Sequence, residues 1–386
     1  MSNNLKFKKL TQIQHVLLKS GMYVGSKDPE TKNMWVYEDN QIHQKIITYI
    51  PALYKIFDEV IVNTYDQSIE DNTLDLIKVD IDKENNTISV FNNGKGIPVE
   101  IHEEEKIYIP ELIFSTLLTS SHYNESIRVT GGTYGLGVKL TAIFSKYFKV
   151  EIGDPKNKKK FTQIYEKNLS IKHKPKIENY NKSTGYVKII FSPDLKFFKL
   201  ENLGQDNISL FKRRTYDISA LTRRNVTVYF NNDKINIKNF NQYVTLYNLD
   251  FDKSIYKQDI INLNCENDDF ENRWQIIITP SNGEFNQVSF VNSINTSNGG
   301  KHVDYILSKI IKGIKSKIQR KFKFYNVKDS FIKNQICLFL SSVIENPEFN
   351  SQTKEELITS CDRFGSACDI SESSINKLYN LLKIED

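Results

Sequence analysis

Four of the seven residues from Gly131 to Gly137 are glycine, and the run GGTYGLGVK, ending at Lys139, leads straight into a helical apolar pattern over 136–148. Glycines at a helix entrance let backbone N–H groups face an anion, helped by the positive end of the helix dipole. Two well-known phosphate-binding patterns do not fit. A Walker loop needs Ser or Thr after its lysine, and Leu140 follows Lys139. A dinucleotide-binding βαβ unit with its downstream acid is also missing. By itself the loop is a weak signal, so its value depends on what accompanies it.

Two further segments accompany it. Residues 51–71, PALYKIFDEVIVNTYDQSIED, read as a helix entered at Pro51, a residue tolerated in the first turn. At ~100° per residue, Leu53, Ile56, Phe57, Val60 and Ile61 form an apolar stripe. Glu59, Asn63 and Asp66 follow at i, i+4 and i+7 along one edge of that stripe. A carboxylate and an amide there suit a catalytic base beside a metal ligand, although an exposed polar edge gives the same pattern. Asp58 points about 100° away from Glu59 and reads as a salt-bridge partner. The second segment, Asn92-Asn93-Gly94-Lys95-Gly96-Ile97-Pro98, follows a strand pattern at 87–91 and signals a tight turn, which a plain hairpin would also explain.

The coarse pattern predicts helices over 42–70, 110–119, 136–148, 301–324, 332–344 and 373–382. It predicts strands over 77–81, 87–91, 186–191, 225–230, 274–279 and 287–291, with a solvated loop at 151–160. An acidic, Asn-rich stretch at 248–269 marks a boundary, giving an α+β chain of two domains, 1–250 and 251–386. The length of 386 residues suits that division, and 12% aromatics supply core material. No apolar run reaches the ~18–20 residues of a membrane span, and residues 1–10 lack a signal-peptide core. Cys265, Cys337, Cys361 and Cys368 show no CxxC spacing and read as reduced thiols. His15, His43, His102, His173 and His302 have no metal-ligand spacing and read as surface or loop residues. A net charge of +5 is too small to argue for nucleic acid without a localised patch.

Taken in their order and spacing, these segments resemble the GHKL ATPases, named for gyrase, heat-shock chaperone, histidine kinase and MutL. The likeness is closest to the ATPase region of type IIA DNA topoisomerase II. It is carried by HVLLKSGMYVGS, LYKIFDEVIVN, NNGKGIPVEIH, YIPELIFSTLLTSSHY, VTGGTYGLGVKL, QVSFVNSINTSNGGKHV and IENPEFNSQTKE, from about residue 10 to residue 370. The resemblance implies a GHKL α/β sandwich, its antiparallel-rich sheet covered by helices on one face, followed by a transducer domain. It further implies ATP and Mg²⁺ as cofactors, with Glu59 as the general base and Asn63 as the metal ligand. Asp66 would tie the helix to Lys95, and Asn92 and Ile97 would meet the adenine. Ser120, Ser121 and His122 would contact ribose and phosphate. Gly132, Thr133, Tyr134, Gly135, Leu136, Gly137, Val138 and Lys139 would wrap the triphosphate. Gln352, Thr353 and Lys354 occupy the QTK loop, whose lysine would meet the γ-phosphate.

Three departures stand out. Thr133 and Tyr134 replace an Arg-Asn pair in the lid, His122 stands where Asn is usual, and Val187 replaces a strand Thr. The segment YILSKIIKGIKSKIQRKFKF places Ile306, Ile310, Ile314 and Ile318 on one stripe of a basic helix. A solvated amphipathic face explains such a helix, but the resemblance implies a cavity admitting duplex DNA, with Lys315, Lys317, Lys321, Lys323, Lys328 and Lys333 as phosphate contacts. It also implies an ATP-dependent homodimeric gate, partner TOPRIM and cleavage domains in the same polypeptide, and an isomerase of the nucleus or of a viral replication site. The alternative is a nucleotide-gated GHKL clamp without topoisomerase activity.

Overall fold

The computed structural model describes residues 9–117, 119, 127–131, 135–247, 261–263, 273–323 and 327–382. The chain divides into two compact units: residues 1–38, 44–124 and 132–238, and residues 39–43, 125–131 and 239–386. None of the described helices is long and apolar enough to cross a membrane.

The first unit begins with helix α1 (Gln12–Leu18), whose Thr11 N-cap closes a capping box with Gln14. A hairpin follows, β1 (Glu30–Glu38) and β2 (Gln41–Tyr49), and then the long helix α2 (Pro51–Glu70). Strands β3 (Leu76–Asp82) and β4 (Thr87–Gly94) precede short helices α3 (Ile109–Ser115) and α4 (Gly137–Ile143). Next come β5 (Ser145–Asp154), β6 (Lys159–Glu166), β7 (Ile171–Lys172), β8 (Lys176–Asn179) and β9 (Gly185–Pro193). Helix α5 (Gln205–Leu221) leads to β10 (Thr227–Phe230) and β11 (Asp233–Lys234). The main sheet runs β11-β10-β3-β4-β9-β5-β6-β7, with β8 also on β6, and among the described residues only the β10–β3 pair in it is parallel. Alternate residues of each strand face inward, as the two-residue period of a pleat requires. Val79, Val90, Val150, Ile189 and Phe191 thus meet Leu53, Ile56, Phe57, Val60 and Ile61 of α2, all buried. Each such side chain removed from water contributes about 1.5–3 kcal/mol, which holds α2 against the sheet.

The second unit contains α6 (Phe240–Val244), β12 (Ile261–Leu263), β13 (Trp274–Pro280), β14 (Asn286–Val291) and β15 (Ile294–Asn295). These are followed by α7 (Lys301–Lys321), α8 (Asp329–Asn334), β16 (Ile336–Ser342) and α9 (Glu372–Leu381). Its sheet runs β12-β13-β16-β14-β15, with β14 and β16 parallel. Ile306, Ile310, Ile314 and Ile318 of α7 are buried in this unit's core, as their i, i+4 spacing predicts.

Several sequence expectations are corrected. The helix expected over 42–70 starts only at Pro51, and the residues before it form β2. Proline disfavours helical backbone in the preceding residue, and Ile50 is extended, at φ −112° and ψ 112°. The helix expected over 332–344 is α8 followed by β16, whose Ile336-Cys337-Leu338-Phe339-Leu340 run is buried on both faces. Such a run has no period to separate strand from helix. The helix expected over 136–148 ends at Ile143, and β5 takes over at Ser145. The loop expected over 151–160 is mostly strand, since β5 extends to Asp154 and β6 begins at Lys159. His302 is a core residue rather than a surface one, its Nε2 3.1 Å from Thr296 Oγ1. Cys368 is disulfide-bonded rather than a reduced thiol. The expected boundary at 248–269 lies outside the described residues except for 261–263, which form β12.

Candidate functional site

Helix α2 carries Glu59, Asn63 and Asp66 down one side, and the structure buries this side. Glu59 is 4% exposed and Asp66 7%, while Asn63 is half-buried. A buried carboxylate needs a partner to remain charged. Lys55, one turn earlier, provides it: its Nζ lies 2.7 Å from Glu59 Oε1 and 3.5 Å from Asp58 Oδ2. Burial alone would lower the Lys55 pKa, but the Glu59 and Asp58 charges overcome it and hold the ammonium protonated. Asp58 itself accepts from Nε of the fully buried Arg214 on α5 at 2.6 Å. Asp58 is therefore a salt-bridge partner, as its angular offset from Glu59 suggests.

The other oxygen of Glu59 meets the glycine-rich turn. A Cβ placed on Gly137, the first residue of α4, would lie 2.0 Å from Glu59 Oε2 and 2.9 Å from its Cδ. No other residue fits there without moving the carboxylate. This contact puts the first turn of α4 directly over Glu59. Leu136 and Val138 turn into the core, and Gly135 takes φ +59° just before the helix. Lys139 is 2% exposed, and its ammonium donates to the Thr119 carbonyl at 2.7 Å and to that of Gly135. Desolvation brings its pKa down to about 8. Ser120, Ser121, His122, Gly132, Thr133 and Tyr134 lie outside the described residues.

The β4 end forms the second wall. Asn92 is buried, with Nδ2 donating to the Asn93 carbonyl at 3.1 Å. Its cross-strand neighbours are Ile77 on β3 and Val187 on β9, so the Val187 departure sits beside the residue expected to meet adenine. Ile97 packs against the core and Lys95 is exposed. A carboxylate placed at this turn is Asp71. Asp71 Oδ2 accepts the Lys95 backbone N–H at 2.6 Å, and its Oδ1 accepts from the N–H and hydroxyl of Thr73. Burial raises the Asp71 pKa, yet these hydrogen bonds outweigh it and leave the carboxyl below its ordinary value. Asp71 is the C-cap of α2, past which the chain returns to this turn. Gly96, at φ +76°, allows the turn to touch Gly153: a Cβ would come within 2.5 Å of that carbonyl oxygen.

In the second unit, Lys354 is 4% exposed, at φ +62°, with Nζ donating to the Gly131 carbonyl at 3.1 Å. Gln352 and Thr353 are half-buried beside it, and Thr353 Oγ1 lies 2.7 Å from Ser351 Oγ. The Arg128–Gly131 strip is fixed to this unit a second time, through two hydrogen bonds between Arg128 and Asn346. Of the six lysines expected to contact DNA, Lys315 pairs with Asp329 at 2.7 Å and Lys317 donates to Asn376 at 2.8 Å. Lys333 sits over the Phe285 ring, while Lys321, Lys323 and Lys328 are exposed. Lys55, Asp71 and Arg214 were missed by sequence reasoning. Only Lys55 left a signal, its i, i+4 spacing to Glu59.

No described group of three or more His, Cys, Asp or Glu could hold a metal ion. A lone amide such as Asn63 fits Mg²⁺, which keeps several waters and is bound largely through substrate phosphates.

Comparison with known proteins identifies two family matches along the chain. Residues 48–188 match the histidine kinase-, DNA gyrase B-, and HSP90-like ATPase family, and residues 239–377 match the DNA gyrase B family. DNA topoisomerase 2 of Pisum sativum is 44% identical over 96% of this chain, and that of Saccharomyces cerevisiae 42% over 97%. The chain spans 25% and 27% of the length of these relatives. The crystal structure of the ATPase region of Saccharomyces cerevisiae topoisomerase II superposes with a TM-score of 0.90 at 41% identity, covering 98% of this chain and 97% of that one. The ATPase and transducer domains of Balamuthia mandrillaris DNA topoisomerase II give 0.91 at 39% identity, covering 99% and 96%. With an ATPase-type unit around Glu59 followed by a gyrase-B-type unit carrying Lys354, the chain belongs to the DNA topoisomerase II family and corresponds to its ATPase region.

Proposed function

We propose that this chain hydrolyses Mg²⁺-bound ATP to close and reopen a homodimeric gate in a type II DNA topoisomerase. TOPRIM and cleavage domains elsewhere in the polypeptide would carry out strand passage on double-stranded DNA, in the nucleus. The observation that carries this reading is the Glu59 carboxylate, held by Lys55 through Oε1 and turned through Oε2 toward the glycine-started helix α4. A base needs one oxygen fixed while the other faces the water that it polarises, and the Lys55 contact to Oε1 supports this reading. Asn63, one turn further along α2, is assigned to the metal. When bound there, the metal would supply positive charge against the phosphates. Asn92 and Ile97 are assigned to the adenine, and Gly135 and Gly137 to the phosphates at the α4 entrance. Lys354 and Gln352 are assigned to the γ-phosphate, where a lysine stabilises the transition-state charge. The exposed Lys321, Lys323 and Lys328 are assigned to sequence-independent phosphate contacts with DNA. The clamp alternative is not favoured, since the relatives compared are DNA topoisomerases.

Steady-state ATP hydrolysis and sedimentation with a non-hydrolysable ATP analogue test the reading together. The wild-type chain turns over ATP and dimerises on the analogue, whereas Glu59→Ala dimerises but does not turn over. A wild-type chain that dimerises without hydrolysis would refute the enzymatic reading.

A further inference from the structure

The loop that carries Lys354 is built as a narrow hairpin. At its neck the Glu348 N–H donates to Thr359 Oγ1 at 2.7 Å, and the Ile358 N–H donates to the Glu348 carbonyl at 2.9 Å. Thr359 is 1% exposed, so water is a poor substitute for this hydroxyl if it is removed. Phe349 faces Leu357 in an antiparallel bridge, and the Asn350 N–H donates to the Glu356 carbonyl at 3.1 Å. Beyond them the chain turns back on itself, with the Lys354 N–H donating to the Ser351 carbonyl at 3.1 Å. Lys354 closes that turn at φ +62°, a left-handed conformation that a non-glycine residue keeps only where its surroundings over-determine it.

Those surroundings include the entrance of α7. The Asn298 N–H donates to the Glu355 carbonyl at 2.9 Å, and the Leu357 N–H to the Gly299 carbonyl at 3.1 Å. The Lys301 N–H in turn donates to the Leu357 carbonyl at 3.0 Å. Three residues after Lys354 the loop is thus held through both backbone groups of Leu357, whose side chain is buried in one core with Val303 and Ile306 of α7. Gly300 sits inside this seam at φ +123°. A Cβ on it would lie 2.3 Å from the Leu357 carbonyl oxygen and 2.5 Å from its nitrogen, so the loop passes where a side chain would begin. Ordinary contact begins at 3.4 Å, so a side chain there pushes the loop and the α7 entrance apart by about 1.1 Å, the difference between these separations. A hydrogen bond lengthened by that much is lost.

We propose that Gly300 and Thr359 are positioning residues for Lys354: the α7 entrance and the hairpin neck preset the turn from which that lysine meets the γ-phosphate. This rests on the reading of Lys354 as the γ-phosphate contact. A preset turn keeps the cost of ordering the loop out of the binding step, so more of the contact appears as affinity. The property set in this way is selection of a nucleoside triphosphate over a diphosphate, because only the triphosphate carries the group that Lys354 meets.

The test is the ratio of affinities for a non-hydrolysable ATP analogue and for ADP, measured by titration calorimetry with Mg²⁺ at one protein concentration. Lys354→Met is expected to lower the preference for the analogue roughly tenfold or more, the worth of a hydrogen bond to a charged group. Gly300→Ala is expected to lower it about as far, with ADP affinity unchanged. The double variant, Gly300→Ala with Lys354→Met, is expected to fall no further than Lys354→Met alone. Thr359→Val keeps the shape but removes the acceptor of the Glu348 N–H, and it is expected to shift the ratio in the same direction. Thr359→Ser, which restores that acceptor, is expected to return the wild-type ratio. If Gly300→Ala does not fold, the two Thr359 variants decide the question. Equal losses for both nucleotides, a wild-type ratio in Gly300→Ala or Thr359→Val, or a further loss in the double variant overturns the proposal while the Lys354 reading stands. A wild-type ratio in Lys354→Met overturns that reading and the proposal with it.

Discussion

The tightest contact in the candidate site, Gly137 against Glu59, gives its most demanding prediction. In Gly137→Ala the new Cβ would lie 2.0 Å from Glu59 Oε2, whereas ordinary contact begins at 3.4 Å. The carboxylate must therefore withdraw by about 1.4 Å, the difference between these two separations. Retreat is blocked on the other side by Lys55, 2.7 Å from Oε1. The backbone gives no reason for glycine, since Gly137 does not take a positive φ. Alanine even favours the helix, by about 0.5–1 kcal/mol. A displacement of about 1 Å in a reacting group costs roughly 100-fold in rate. Gly137→Ala should thus lose about 100-fold in single-turnover hydrolysis at saturating ATP, with a melting temperature near that of the wild type. Turnover within about threefold of wild type would refute both the contact and the role given to Glu59.

Three other expectations concern the framework. Gly96→Ala combines a left-handed backbone with a clash at the Gly153 carbonyl, so calorimetry should show a loss of about 1–3 kcal/mol, and an unchanged melting temperature would contradict this. Asp71→Ala removes three hydrogen bonds to Thr73 and Lys95 and should cost about 1–3 kcal/mol in denaturant titration. Because the folded carboxyl titrates below its ordinary value, that deficit should be full above the ordinary carboxylate pKa and close as pH falls through the depressed one. Burial pushes the His302 pKa from 6.5 down to about 3, so the unfolded chain takes up the proton first on acidification. Wild-type stability should fall by about 1.4 kcal/mol per pH unit below 6.5 from this residue, and His302→Gln should show a shallower slope.

Where the sequence was legible, one physical period dominated. The α2 stripe from Leu53 to Ile61 and the α7 stripe from Ile306 to Ile318 are buried as their spacing demands, and Pro51 marks the α2 entrance. Helix α5 went unread because its inner face carries Arg213, Arg214 and Asp217, charges that imitate a solvated surface until their pairing with one another and with Asp58 on α2 is known. The β16 run is buried on both faces and so lacks any period. Within the site, the Glu59 and Asn63 spacing and the Gly135–Gly137 turn were visible as separate signals. Their juxtaposition was not, because it depends on the packing of α4 across α2. Asp71 was invisible for a related reason: its role at the Lys95 turn arises from a chain reversal 24 residues long.

The account therefore depends on one carboxylate, poised between Lys55 and Gly137, doing the chemistry while other residues bind the nucleotide. Mixing Glu59→Gln with Mg²⁺ and ATP, isolating the dimer and measuring its nucleotide content tests this most directly. The account predicts a closed dimer loaded with intact ATP, where wild type under the same conditions yields ADP. A Glu59→Gln dimer that accumulates ADP at the wild-type rate would contradict it.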